Sequence, residues 1–249
     1  MKKKLFINNS FSITAIVSGL LLAAFFLPIT QAANFIKTYS RSFKVSSENP
    51  ALTISNPSGS IKVTSWDKSE IKLVANLDEN LEVSENQKGS SINIEVRCSK
   101  IGQANFEINV PTNSTLDIKS LNGIIEISSI AGPISVQTTE GEISLKEITS
   151  SNVTAKSTSG SILFSGKLFQ KGIYNFSSLE NTVSIFLLPD SAFTLSATAS
   201  SEKIDLGGFQ LLDLVRHERR LSGKHSGGGA SINLNTYRGK IRLNKGLSK

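Results

Sequence analysis

The sequence predicts an all-β protein, a β-solenoid with coils of about 20 residues. Three observations carry this. From Phe43 onward apolar and polar residues alternate in short runs rich in Ile, Val, Thr and Ser, the period-two pattern of half-buried strands. Turn residues recur at a longer interval: Gly123, Gly141, Gly160, Asn181 and Glu202 are spaced 18, 19, 21 and 21 residues apart. Each is followed by apolar residues two and four places later. A β-sandwich, the alternative fold, also repeats strands every 8–12 residues or so, but has no reason to rebuild one turn at a fixed longer period.

The chain opens with Lys2, Lys3 and Lys4, an apolar run over 11–26, Pro28, and small residues at Thr30 and Ala32. This is the layout of a secretory signal peptide cut after residue 32; an uncleaved anchor is the competing reading. Removal leaves 217 residues with a net charge of +4, enough for one core and no demand for a polyanion. No second long apolar run follows, so no transmembrane segment is expected after cleavage. The leader implies an extracytoplasmic location, either periplasmic or secreted and at the cell surface.

Residues 33–112 keep the alternation (Phe43/Val45, Ile71/Leu73, Leu81/Val83, Ile92/Ile94, Phe106/Ile108) but lose the spacing. They are expected to cap one end of the array and shield its edge. Residues 113–249 carry the repeats. One class of strand follows the turn residues: Ile61/Val63, Ile125/Ile127, Ile143/Leu145, Ile162/Phe164, Val183/Ile185, Ile204/Leu206 and Ile241/Leu243. A second precedes them: Leu52/Ile54, Leu116/Ile118, Ile134/Val136, Val153/Ala155, Tyr174/Phe176, Phe193/Leu195 and Ile232/Leu234. The lead is nine residues in six pairs, and eleven from Phe193 to Ile204. Stacked coils should align Ile125, Ile143, Ile162 and Val183 in one ladder, with strands about 4.8 Å apart. Ile130, Ile148 and Leu168 recur as corner apolars. Gly59, Gly123, Gly141, Gly160 and Gly239 are read as structural turns, where glycine tolerates positive φ; Asn181 replaces it acceptably, and Glu202 implies a relaxed turn.

The step from Glu202 to Gly239 is 37 residues, so a basic insertion at about 207–229 interrupts the last repeats. It contains RHERRLSGKHSGGG, and 208–221 is the one stretch with helix-like character. Arg216, Arg219, Arg220 and Lys224 are candidate contacts for anionic envelope material. Nucleic acid is excluded by the absence of interleaved aromatics and by export.

Catalytic patterns are missing. His217 and His225 lack a second ligand pair at zinc spacing, and no G-x-S-x-G elbow occurs. Cys98, alone, ends an alternating strand and reads as a small apolar residue. Glu140, Glu142, Glu180 and Asp205 fall on turns or outward positions and do not form a glycosidase pair; Asp205 is expected to face Arg242 or neighbouring lysines on the adjacent coil. Gly227, Gly228 and Gly229 precede a strand, not the helix a phosphate loop needs. No metal or cofactor is implied.

The series NPSGSIKVTSWDKSEIKL, INVPTNSTLDIKSLNGIIEI, TSGSILF, IFLLPDSAFTLSATASSEKIDL and GGGASINLNTYRGKIRL resembles the bacterial putative-adhesin domain of unknown function, over roughly residues 52–243. The resemblance implies an exported β-strand repeat domain and brings no catalytic motif. A non-enzymatic envelope scaffold or binding surface is therefore the expected function, its partner an envelope protein, polysaccharide or anionic lipid headgroups. A carbohydrate-active enzyme on a β-helix and a stress-response partner of a membrane protein are the alternatives.

Overall fold

The computed structural model describes residues 36–98, 102–199 and 204–246. The leader, Glu202 and the Cys98 side chain lie outside the described residues. All described elements are strands, and they form two sheets. Each coil of the solenoid places one strand in each sheet, and the chain crosses between them at the turns.

The regular coils run β2 (Ala51–Ser58) to β3 (Ile61–Trp66), β8 (Thr115–Asn122) to β9 (Ile125–Ser128), β10 (Ile134–Glu140) to β11 (Ile143–Ile148), β12 (Asn152–Ser157) to β13 (Ile162–Gly166), and β14 (Ile173–Ser178) to β15 (Val183–Leu187). Two more are β16 (Phe193–Ala199) to β17 (Ile204–Asp205) and β20 (Ala230–Thr236) to β21 (Ile241–Lys245). A further coil joins β6 (Ser91–Cys98) to β7 (Ala104–Pro111). Neighbouring coils pair in parallel. Antiparallel strands β1 (Ile36–Lys44), β4 (Glu70–Asp78) and β5 (Leu81–Lys88) cover one end, and β18 (Leu212–Arg216) with β19 (Arg220–His225) covers the other.

The expected ladder is present in register: Ile125 pairs with Ile143, Ile143 with Ile162, and Ile162 with Val183. Its members are fully buried. In the facing sheet Leu52, Leu116, Ile134, Val153, Tyr174, Ile232 and Leu195 align likewise. Leu195, not Phe193, is thus the equivalent residue in β16. It leads Ile204 by nine, so the nine-residue interval holds in all seven pairs. The coil that carries the small Ala155 in one sheet carries Phe164 in the other, and the Phe164 ring lies 5.1 Å from that of Phe176, the register neighbour of Ala155.

Stacking does not follow chain order at either end. The coil β20–β21 lies between β14–β15 and β16–β17. At the other end β2–β3 lies between β8–β9 and β6–β7. The first and last regular coils are therefore interior, and each buries both of its ladder edges.

Glycine at the turns has two causes. Gly59, Gly123 and Gly141 adopt φ of 109°, 127° or 137°, the left-handed region. Gly160 and Gly239 lie outside it, which corrects the expectation that all five need positive φ. What the five share is proximity: a Cβ on any of them would collide with a carbonyl oxygen of the coil beneath, that of Ala104, Gly59, Gly123, Gly141 or Asn181. Just before these turns runs a buried polar column of Asn56, Ser120, Thr138, Ser157, Ser178 and Thr236. Its hydroxyls satisfy turn backbone that water cannot reach. Gly160 N donates to Ser157 Oγ at 2.7 Å, Ser178 Oγ donates to the Gly160 carbonyl at 2.8 Å, and Gly239 N donates to Thr236 Oγ1 at 2.9 Å.

Candidate functional site

The basic insertion folds as the hairpin β18–β19, with no helix. Its root is fixed by packing. Leu221 is buried, and Gly223 is packed so closely that a Cβ would meet the Leu211 side chain at 2.9 Å and the Leu212 carbonyl oxygen at 3.0 Å. The ring nitrogens of His225 face the carbonyl oxygens of Gln210 at 2.8 Å and Pro189 at 3.1 Å. Its ring lies 5.3 Å from that of Phe193 and 5.0 Å from that of Phe209. His225 is thus a strap at the hairpin base. Lys245 closes the same corner from over Phe209.

Above this root all of β18 is exposed. Leu212, Leu214 and Val215 are 65%, 49% and 50% exposed. Leu212 pairs with Lys224 and Val215 with Ser222, residues that pair in turn with Thr194 and Ser196. Leu212 and Val215 therefore stand on the outer sheet face, and so does Arg220, whose partner is Thr198. Arg216 pairs with Leu221 and belongs to the opposite row, toward the end of the stack. The helix-like reading of LLDLVR gives way to a strand with a bulge between Leu212 and Val215, where Asp213 adopts a φ of 52°.

Three of the four sequence-predicted residues are brought together. Arg216, Arg219 and Arg220 line one cleft of about 390 Å³ with His217 and Glu218, over Ala199 and Ile204. Among the described residues no carboxylate forms an ion pair with these arginines. Lys224 stands apart and pairs with Asp213 at 3.3 Å. The exposed apolar residues beside the arginines escaped the sequence reading, because LLDLV fits a helical face as well as a strand.

The acids do not converge. Glu140 and Glu142 are exposed at their turn, and Glu180 pairs with Arg238 at 3.5 Å. Asp205 is the register neighbour of Arg242, yet its carboxylate accepts the Gly207 N–H at 2.9 Å. Among the described residues no group of three His, Cys, Asp or Glu is placed to hold a metal, and no helix is long and apolar enough to cross a membrane. On the outer face of the sheet that holds β14 and β20, Asn233 Nδ2 donates to Asn175 Oδ1 at 2.9 Å across adjacent coils.

A putative cell adhesion protein from Clostridium sporogenes shares this fold: TM-score 0.57, 13% identity, covering 85% of this chain and all of that one. A putative adhesin from Bacteroides fragilis aligns with TM-score 0.34 and 13% identity over 83% of this chain and 97% of that one. A protein from Parabacteroides distasonis described as a putative lipid binding protein aligns with TM-score 0.35 and 13% identity over 84% and 97%. Comparison with curated proteins found no match. The family model for the Toastrack domain DUF4097 matches residues 41–211, ending just before β18. The chain belongs to the Toastrack DUF4097 family.

Proposed function

We propose that this protein is an exported, non-enzymatic component of the cell envelope whose stack is a rigid scaffold and whose C-terminal hairpin is its contact surface. The observation that carries this reading is the gathering of Arg216, Arg219 and Arg220 on one exposed hairpin, without a carboxylate partner among the described residues. Cationic groups left this way are available to an anionic partner. The leader-like residues 1–32 supply the export part of the proposal, and the fold shared with the putative cell adhesion protein of Clostridium sporogenes agrees with a binding role. The scattered acids support the non-enzymatic part, because glycoside hydrolysis needs two carboxyl groups about 5–10 Å apart across a cleft.

The test uses the chain from Met1 with a C-terminal tag, fractionated from an exporting host. It should leave the cytoplasm and lose its first 32 residues by mass. Envelope extract captured on it should be depleted when Arg216, Arg219, Arg220 and Lys224 are changed to Gln. Identical capture by the two proteins would remove the hairpin as the contact surface.

A further inference from the structure

We propose that the hairpin docks on the surface of an anionic lipid bilayer, with the aliphatic side chains of β18 entering the interface and the arginines engaging headgroup phosphates. This rests on the reading above and names the partner class.

Charge supports it first. Described residues 36–98 carry eight Lys and Arg against eight Asp and Glu, and residues 102–187 carry five against seven. Residues 188–246 carry eight against four among those described. The positive excess is concentrated at the hairpin end of the stack, so a negative surface would orient the molecule with that end toward it.

The second support separates a bilayer from a soluble polyanion. An acidic polysaccharide or free phosphate needs only the cations. Here Leu212, Leu214 and Val215, each about half exposed or more, occupy the strand that leads into Arg216. Exposed aliphatics beside cations are what an interface of anionic headgroups over hydrocarbon accommodates. In water the same three side chains leave about half or more of their surface exposed, while Leu221, Gly223 and His225 anchor the hairpin from its inward side.

The geometry permits the contact. The strand β18 pairs only with β19, and no further strand covers its other edge among the described residues. A bilayer can approach it without displacing any described part of the protein.

The experiment is vesicle co-sedimentation of the full chain recovered from the extracytoplasmic fraction of an exporting host. Vesicles of phosphatidylcholine are compared with vesicles rich in phosphatidylglycerol. Binding should require the anionic lipid and weaken with salt. Arg216→Gln, Arg219→Gln and Arg220→Gln together should weaken it about a hundredfold, at roughly fivefold per arginine near an anionic surface. Leu212→Ser, Leu214→Ser and Val215→Ser together should weaken it about tenfold or more, through lost apolar insertion. Unchanged thermal melting shows that either variant is folded. Should one misfold, the wild-type protein still decides the matter through lipid dependence, salt dependence and competition by soluble glycerol phosphate, which should fail to displace it. Binding retained by both variants would place the membrane contact elsewhere, for example in an uncleaved leader, and overturn the proposal. So would retention on an acidic polysaccharide with no retention on vesicles, or concentration-dependent self-association through β18 without vesicle binding. Those last results would leave the broader envelope-binding reading standing, whereas loss of hairpin-dependent envelope capture would remove both.

Discussion

The two ends of the stack solve the same problem differently. A solenoid end exposes unpaired backbone and invites other strands. At the N-terminal end β1, β4 and β5 run antiparallel over the outermost coil, and the caps of the two sheets are tied to each other. Tyr39 Oη donates to Glu85 Oε2, Arg41 pairs with the same carboxylate at 3.2 Å, and Gln87 Nε2 donates to the Lys44 carbonyl at 2.9 Å. At the C-terminal end Phe209 plugs the core, and the hairpin extends one sheet with an exposed, apolar and basic last strand. One end is finished internally and charge-balanced; the other keeps side chains in water that a folded protein normally covers. Both share an interior lock, since the first and last regular coils are sandwiched between others.

The largest effect should come from the middle, which neither end can relieve. Gly141→Val places a β-branched side chain at a φ of 127° against the Gly123 carbonyl. It should cost about 3–5 kcal/mol by denaturant melts, combining left-handed strain with overpacking. Gly227→Ala, at a φ of 79° with open space around it, should cost about 1–2 kcal/mol from backbone strain alone. Similar losses at the two sites would mean that the glycine column is not close-packed.

Next in size is the contrast between the last coil and the last strand of the cap. Ile241 lies near the chain terminus but is fully buried between Val183 and Ile204. Ile241→Ala should therefore cost about 2–5 kcal/mol, as at a central core position. Leu212→Ala should change stability by less than about 0.5 kcal/mol, because it leaves a side chain already in water. A small loss for Ile241→Ala would show the C-terminal coil to be peripheral.

The smallest effect concerns the N-terminal cap. Desolvation, followed by the hydrogen bond to Glu85, raises the Tyr39 pKa from 10.0 to about 12. A phenol held neutral in the folded state stabilises fully below pH 10, and this contribution is lost as pH rises from 10.0 to about 12. Tyr39→Phe should therefore flatten the alkaline fall in stability across that window. Burial of Tyr174 acts in the same direction, so some slope should persist. Urea melts at stepped pH read the difference; identical slopes would show that the Tyr39–Glu85 link is not formed in solution.

How much of this was legible follows from what periodicity encodes. Alternation and the nine-residue lead record which side chains point inward and where turns fall, so the Ile125–Ile143–Ile162–Val183 ladder could be read directly. The intercalation of β2–β3 and β20–β21 could not. Ile241 is chemically equivalent to Ile204, and nothing local tells a coil which neighbours it will have. The inward Ser120, Thr138, Ser157 and Ser178 were equally hidden, because a hydroxyl that caps a buried turn looks in sequence like one that faces water. In the hairpin, the arginines stood out by charge alone. Leu212, Leu214 and Val215 did not, since their exposure is decided by β18 being the last strand of its sheet.

The order of the coils can be tested by disulfide trapping on the outer sheet face, in a chain with Cys98→Ser. Asn233 is the register neighbour of Asn175, and Ser196 lies one strand farther on. Adjacent strands are about 4.8 Å apart and alternate ones about 9.6 Å, while bridged cysteines need Cα atoms within about 7 Å. Intercalation predicts that Asn175→Cys with Asn233→Cys oxidises readily and that Asn175→Cys with Ser196→Cys does not. The reverse outcome would mean that the coils stack in chain order, and would contradict the interior placement of the last coil.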